Sequence, residues 1–443
     1  DLRRERVGRD HRRVLAALAA ADTHLLCLPR GDLRASSERV PSRWLADVAS
    51  ALAGERVPSD AIVGRAAPWL ESVPSFAHAV RHARFPATEQ EYRLRAGGRR
   101  VHDDRTDRGA RVIHARQGRA FTRFDGNLAG VGVPSPVDMV VSSTRLESWA
   151  KCPFAYFGQR LLEIEPVDDP ELQLEMSPLD RGSLIHEVLE QFVAEVLARP
   201  PERQPGPAEA WSDDDHALIR RIAEQVCAEY EARGLTGRPV FWRRDRAQIV
   251  ALANRFLLDD DAKRRAAGTR PLAAEHGFGF GDGAPPVEIR LDDGRHLRFR
   301  GSADRIDSGP GGRLHVLDYK TGKADDYSRL STDNPDDRGT KLQLVVYAQA
   351  ARAAVGRPDA PVTSEYWFVS ERGGFARKGY EVDDKVLAHV TSTLGTIVDG
   401  IERGAFPAHP VESFAPFVSC RYCDPDGMGV ADRRRDWERK RDD

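Results

Sequence analysis

The sequence predicts an α/β fold in which helices flank a mixed central β-sheet, with a mainly helical region in front of it. Three observations predict it. Apolar residues recur at helical spacing through much of the first 258 positions. Asp293-Gly294 then joins two strand-like runs as a hairpin. After it come a strand "HVLDYKTGK", a helix "KLQLVVYAQAARAA" and a strand "SEYWFVS".

Taken in order, "HRRVLAALAAA" has helical spacing and "THLLCLPR" after it reads as a strand. Helical stretches follow around Trp44 to Leu52 and Ala61 to Leu70. From Arg93 to Asp125 the pattern dissolves into Arg, Gly and Asp, which reads as a linker or arm. A boundary near Pro134-Ser135-Pro136 divides the chain into 1–135 and 136–443. The second part opens with a helix in which Thr144 and Glu147 can form a capping box. An amphipathic helix, "RGSLIHEVLEQFVAEVL", carries His186. Two more helices cover about His216 to Arg233 and Arg246 to Leu258, and a last one runs from about Asp384 to Arg403.

The chain has 443 residues, 40% hydrophobic and 31% charged, enough for two or more domains. A formal net charge of −2 excludes a uniformly basic nucleic-acid binder, so a polyanion has to be met by local patches. The arginine-rich run from Arg93 to Arg123 is one such candidate, and a solvated linker is the equal alternative. Five cysteines, with no secretory leader pattern ahead of them, point to a reducing cytoplasm. No apolar run approaches the roughly 20 residues that span a bilayer, so no membrane role is expected. A first residue of Asp rather than Met reads as a fragment of a longer polypeptide.

Asp318 and Lys320 are the anomaly. Side chains alternate along a strand, so these two share one face while Leu317 and Tyr319 share the other. They are either a structural ion pair or one half of a site for a metal and a phosphate. Asp304, in "GSADRID" on the preceding strand, can reach the same place. Two carboxylates and an imidazole suit Mg²⁺ or Mn²⁺, and a lysine beside them can contact a scissile phosphate or orient a water. Arg305 and Asp307 read as a structural pair, Tyr366 and Trp367 as core, His315 as no ligand and Cys227 as a buried thiol. No Walker-type phosphate loop is present, since "YKTGK" lacks the glycine spacing.

These motifs, in their order and spacing over roughly residues 140 to 430, resemble the RecB-like branch of the PD-(D/E)XK nuclease superfamily. The resemblance implies a restriction-endonuclease-like fold. It implies His186, Asp304, Asp318 and the Tyr319 carbonyl as ligands of Mg²⁺ or Mn²⁺, and Lys320 as the catalytic lysine. "QLVVY" matches the Q-x-x-x-Y signature, with Gln343 and Tyr347 one helical turn apart, contacting DNA or buttressing the lysine.

In the first part, "RRVLAALAAADTHLLCLPRGD" is similar to the last conserved stretch of UvrD-like helicases. The arginine expected there is replaced within Ala17-Leu18-Ala19-Ala20-Ala21-Asp22, so a degenerate segment is implied. That arrangement is similar to AddB- and AdnAB-type helicase-nucleases, where a motor lies in the same polypeptide or in a partner subunit. AddB-like nucleases hold a [4Fe–4S] cluster on one cysteine before the nuclease core and three after it. Cys152, Cys420 and Cys423 match three of these positions, and Gly429 stands at the fourth. An iron–sulfur cluster with a non-cysteine ligand, a zinc ion on three thiolates, and an empty cysteine cluster are all compatible with that set.

The expectation is a metal-dependent deoxyribonuclease that hydrolyses phosphodiester bonds, exonucleolytic rather than endonucleolytic, within a cytoplasmic DNA-repair and recombination helicase-nuclease acting on single strands or duplex ends. The alternatives are a non-catalytic DNA-binding or scaffold subunit and a metal-dependent RNase. An intact set of His186, Asp304, Asp318 and Lys320 favours the enzyme, because a scaffold has no need of all four.

Overall fold

A computed structural model describes residues 2–29, 40–73, 76–98, 104–165, 174–207, 209–281, 283–409, 422–423 and 431–440. The chain falls into two compact units, Asp1–Ala110 and Arg111–Asp443.

The first unit holds α1 (Leu2–Ala19), α2 (Arg43–Ala53), α3 (Phe76–His82) and α4 (Glu89–Gly98), and α5 (Asp104–Gln117) runs through the division. Helix α2 starts where Ser42 accepts the Leu45 N–H at 3.2 Å and stops at Gly54, whose φ of 69° is left-handed. Its apolar face closes a small core of Ala49, Val57 and Ile62 with Leu45 and Trp69.

Three expectations fail here. Residues 24–29 form no strand, and Leu25 is 88% exposed, because no neighbouring strand among the described residues pairs with that backbone. A helix over Ala61 to Leu70 is replaced by a short turn at Ser59–Ala61 and a bridge between Ala67 and Leu70, since Gly64 and Pro68 interrupt it. The supposed linker from Arg93 is helical in α4 and α5. Arginine is a good helix former, and Arg95 anchors α4 by donating to the carbonyls of Val80 and Ala83, both at 2.6 Å.

The second unit is built on a seven-stranded mixed sheet: β1 (Val140–Ser142), β2 (Arg270–Phe278), β3 (Val287–Arg290), β4 (His296–Ser308), β5 (Leu314–Lys320), β6 (Val362–Phe368) and β7 (Arg377–Glu381). Strand β4 is the axis. Its first half pairs with β1 in parallel and β3 antiparallel, and its second half with β2 and β5, both antiparallel. Beyond β5 come β6 in parallel and β7 antiparallel at the edge. The expected hairpin closes where Gly294 adopts φ 90° and Leu291 N–H donates to Arg295 O at 2.8 Å.

Helices α6 (Ser143–Lys151), the short α7 (Pro153–Tyr156), α8 (Pro178–Leu197), α9 (Asp213–Ala232), α10 (Pro239–Ala267), α11 (Gln343–Ala354), α12 (Asp384–Glu402) and α13 (Ala431–Lys440) complete the fold. Alternation along the strands splits the interior in two. Leu314 and Val316 of β5 join Leu344 and Val346 of α11 and Leu394 of α12 on one face. Leu317 and Tyr319 join Phe192 of α8 and Phe256 of α10 on the other. Among the described residues no helix is long and apolar enough to cross a membrane.

On the second face lies a fully buried ionic group. Arg305 donates twice to Asp307, at 2.6 and 2.9 Å, and once to Asp260 at 3.1 Å. Asp260 also accepts the Trp211 indole N–H at 3.0 Å. The planar guanidinium thereby ties β4 to α10 with its charges matched. Arg305→Met would leave Asp260 and Asp307 buried without their cation, and a loss of about 3–5 kcal/mol in urea unfolding is expected. Lys385→Ala, which breaks the exposed pair with Asp333, should cost no more than about 1 kcal/mol.

Candidate active site

Pairing of β4 with β5 ends at Arg305↔Leu317, and one further step of that register sets Asp304 opposite Asp318. Asp304 does not complete the ladder with its backbone. Its Oδ2 accepts the Tyr319 N–H at 2.5 Å instead, so the carboxylate takes the place of a strand partner. Its Oδ1 faces His186 Nδ1 at 3.4 Å. His186 reaches this point because α8, started by Ser177 accepting the Asp180 N–H at 3.0 Å, buries Leu184, Ile185, Val188 and Leu189 and leaves its His186 edge at the sheet. His186 Nε2 donates to the Tyr319 carbonyl at 3.0 Å.

Asp318 and Lys320 share the face covered by α11, as the strand period requires. They form an ion pair, and Lys320 Nζ lies 5.1 Å from the centroid of the Tyr366 ring. The pair is poorly compensated. Burial pushes the Asp318 carboxyl up to about 6, with the Asp304 charge adding to the rise and Lys320 opposing it. Burial works to lower the Lys320 ammonium, but Asp318 prevails and raises it. Burial likewise opposes protonation of His186, yet its hydrogen bond to Asp304 raises its pKa. Helix α11 brings Gln343 and Tyr347 up to the same carboxylates. Gln343 Nε2 donates to Tyr347 Oη at 3.2 Å, and burial followed by the Asp318 charge raises the phenol.

The structure therefore brings together His186, Asp304, Asp318, the Tyr319 carbonyl and Lys320, with Gln343 and Tyr347 beside them. One imidazole, two carboxylates and a carbonyl make an oxygen-rich donor set that fits Mg²⁺ or Mn²⁺, and a buried carboxylate held near 6 is one that a cation would relieve. Among the described residues no three His, Cys, Asp or Glu side chains close on a single ligand point, because Asp318 is turned to Lys320 and Asp304 to the Tyr319 amide.

Sequence reasoning misassigned Glu147 and missed Glu190 and Glu275. Ser142, not Thr144, caps α6, accepting the Arg145 N–H at 3.2 Å. Glu147 is buried and accepts the Leu342 N–H at 2.8 Å, capping α11 from another element. Only the tertiary fold supplies that partner, so no local pattern could have shown it. A cavity of about 670 Å³ opens beside His186, lined also by Glu187, Glu190, Glu275 and Thr321. Burial and the Asp304 charge raise Glu275, which sits at φ 43° inside β2, a conformation that costs a non-glycine residue about 1–3 kcal/mol.

At the other end of α6, Cys152 and Cys423 are both buried, with their Sγ atoms 3.6 Å apart. Cys420 and Gly429 lie outside the described residues. Cys227 is buried in the core of α8 to α10, as expected, and burial pushes its thiol up to about 11.

The family model of the PD-(D/E)XK nuclease superfamily matches residues 140–426. The chain is also similar to bacterial proteins named as the second of the subunits of an ATP-dependent helicase/deoxyribonuclease. It is 29% identical over 245 residues to that of Lacticaseibacillus casei, covering 53% of this chain and 19% of the relative. With that of Symbiobacterium thermophilum it shares 31% over 237 residues, covering 51% and 18%. With that of Desulfitobacterium hafniense it shares 29% over 218 residues, covering 48% and 17%. The chain spans less than a fifth of the length of these relatives.

A donor set that is under-compensated without a cation should bind one before any substrate arrives. Millimolar Ca²⁺ or Mg²⁺ is expected to raise the melting temperature, by about 2.7 kcal/mol of linkage at a hundredfold excess over Kd. Asp304→Asn and Asp318→Asn should each remove that rise in differential scanning fluorimetry.

Proposed function

Since the chain belongs to the PD-(D/E)XK nuclease superfamily, we propose that it is a divalent-metal-dependent deoxyribonuclease hydrolysing DNA phosphodiester bonds. The observation that carries the reading is the meeting of Asp304, Asp318 and Lys320 with His186 where the β4–β5 ladder ends. His186, Asp304, Asp318 and the Tyr319 carbonyl would hold Mg²⁺ or Mn²⁺, which supplies Lewis-acid polarisation of the phosphoryl oxygen. Lys320, freed from Asp318, contacts the scissile phosphate or orients the attacking water. Gln343 and Tyr347 brace that lysine from α11 and face the DNA. Tyr366 keeps water from one side of the ammonium.

The names of the relatives support a further step: the chain is the nuclease part of a cytoplasmic helicase-nuclease in DNA repair and recombination. Its partners are then single-stranded or duplex DNA ends and a helicase motor in the same longer polypeptide or in another subunit, with exonucleolytic cleavage. Residues 1–135 are read as a degenerate helicase-like segment with its linker, and 136–443 as the nuclease domain. Cys152, Cys420 and Cys423 are read as one thiolate site. A separation of 3.6 Å is close to the roughly 3.8 Å that two thiolates take on one tetrahedral ion with bonds of about 2.3 Å.

Labelled single- and double-stranded DNA incubated with Mg²⁺, Mn²⁺ or EDTA tests the cleavage reading. Asp318→Ala, Asp318→Asn and Lys320→Ala are each expected to lower the rate about 10²-fold or more while DNA binding persists. His186→Ala should lose less and recover partly in excess Mn²⁺. Wild-type rates in Asp318→Ala would leave the pair as a structural ion pair and sink the reading. For the cysteines, iron, sulfide and zinc analysis of anaerobically purified protein identifies the occupant, and Cys152→Ser and Cys423→Ser are expected to lose it alike.

A further inference from the structure

The outward face of β1, β4 and β3 plays no part in the site above. Leu297 and Phe299 of β4 and Val287 and Ile289 of β3 turn into the core. Arg298, Arg300, Glu288 and Arg290 therefore point the other way. Strand register sets Arg298 between Val140 and Glu288, Arg300 beside Ser142, and Arg290 opposite His296. The face carries three arginines and a histidine against one glutamate.

Elsewhere this part of the chain pairs its arginines. Arg295, on the hairpin turn, gathers Asp293, Asp399 and Glu402, and Arg305 is closed between Asp307 and Asp260. Among the described residues, by contrast, no carboxylate lies within 4.0 Å of Arg290, Arg298 or Arg300, although Glu288 is directly across from Arg298. Three cations on one sheet face without anions suit an anionic ligand.

Above them stands an aromatic ring. Phe280 is 52% exposed, and the Arg300 guanidinium lies 5.8 Å from its centroid. The turn that carries it is pressed onto β4. Gly279 has φ 72°, and a Cβ there would lie 2.9 Å from Arg300 Cα. Its N–H donates to Ala284 O at 2.8 Å. Leaving a phenylalanine in water forgoes about 1.5–3 kcal/mol of burial, so an occupant for the ring has that much to recover. The face also leads to the candidate site. Phe278, two residues before Phe280, packs edge-on against Tyr347 at 6.0 Å, and Asp304 lies four residues beyond Arg300, about 13 Å along the strand.

We propose that Phe280 and Arg300, with Arg298 and Arg290, form a platform for single-stranded DNA, the ring stacking on an unpaired base and the arginines meeting its phosphates. Taking the ligand to be DNA rests on the nuclease reading above. A single strand is favoured over a duplex because a ring can stack only on a base that is not already stacked within a helix. A strand lying here would run along β4 toward Asp304 with its phosphates held a few nucleotides from the cleaved bond.

The test is fluorescence anisotropy with a short labelled oligodeoxythymidylate and a closed DNA hairpin, both in EDTA so that nothing is cut. Phe280→Ala should weaken single-strand binding about fivefold or more, with Phe280→Trp restoring it and hairpin binding little changed. Arg300→Gln should reduce the slope of log affinity against log salt by about 0.7. Both side chains are exposed, so melting temperatures should match the wild type, and Lys385→Ala serves as a surface control. Unchanged single-strand affinity in Phe280→Ala, or an equal loss on the hairpin, overturns the platform. An oligoribouridylate that outcompetes DNA overturns the DNA assignment. A wild-type protein that fails to cut DNA in Mg²⁺ while Phe280→Ala still weakens binding sinks only the cleavage reading and supports the platform.

Discussion

The short bond from the Tyr319 amide to Asp304 Oδ2 is the contact on which the site depends. A backbone N–H at the end of a ladder must find an acceptor, and here a side chain from the neighbouring strand supplies it. That one bond fixes the Asp304 carboxylate at the mouth of the gap between β4 and β5. His186 then settles against the other oxygen of Asp304 and against the carbonyl of Tyr319. The opening in the sheet and the placing of its polar groups have one cause: β1 leaves β4 at Arg300, and β5 joins it only at Arg305.

Adjacent residues of these strands show two opposite treatments of buried charge. Arg305 and Asp307 face α10, where every charge meets a partner of matching geometry, and the group holds two layers together. Asp304 and Asp318 face a space in which two acids share one lysine and one imidazole, so burial keeps the Asp318 proton affinity high. A protein could have closed this cluster with a second base. It adds acids around the neighbouring cavity instead, Glu187, Glu190 and Glu275, the last in a strained backbone conformation. Strain and uncompensated charge in the same few ångströms are costs that a stability role would not explain.

Much of this was legible in the sequence because it is local. The strand period separates Asp318 and Lys320 from Leu317 and Tyr319, and the helices α8 and α11 show their periodicity over many residues. The hairpin at Asp293-Gly294 set β4 beside β3, and the strand after β4 could be expected next to it. What depends on remote partners was not legible. Glu147 looked like a capping residue of its own helix, and its acceptor role at Leu342 spans 195 positions. The run from Arg93 looked unstructured because its helices are polar, and their anchors are arginine contacts to carbonyls that no pattern announces. Residues 24–29 show the converse error, an apolar run with no sheet to join.

Helix α6 links the cysteines to the site in mechanical terms. It has nine residues, with Glu147 near its middle bonded to the start of α11 and Cys152 at its C-cap against Cys423. A short rod held at two points transmits displacement at one to the other, because packed interiors yield little. Trp149 adds a third hold, donating its indole N–H to Ala405 O at 3.0 Å, and a Cβ at Gly400 would lie 2.2 Å from its ring. The α12 surface must therefore be bare at Gly400 for α6 to lie where it does. Gln343 and Tyr347 occupy the first turns of the helix that Glu147 caps. Whatever holds Cys152 in place thus also sets the position of the residues that brace Lys320, although neither sulfur belongs to the carboxylate cluster itself.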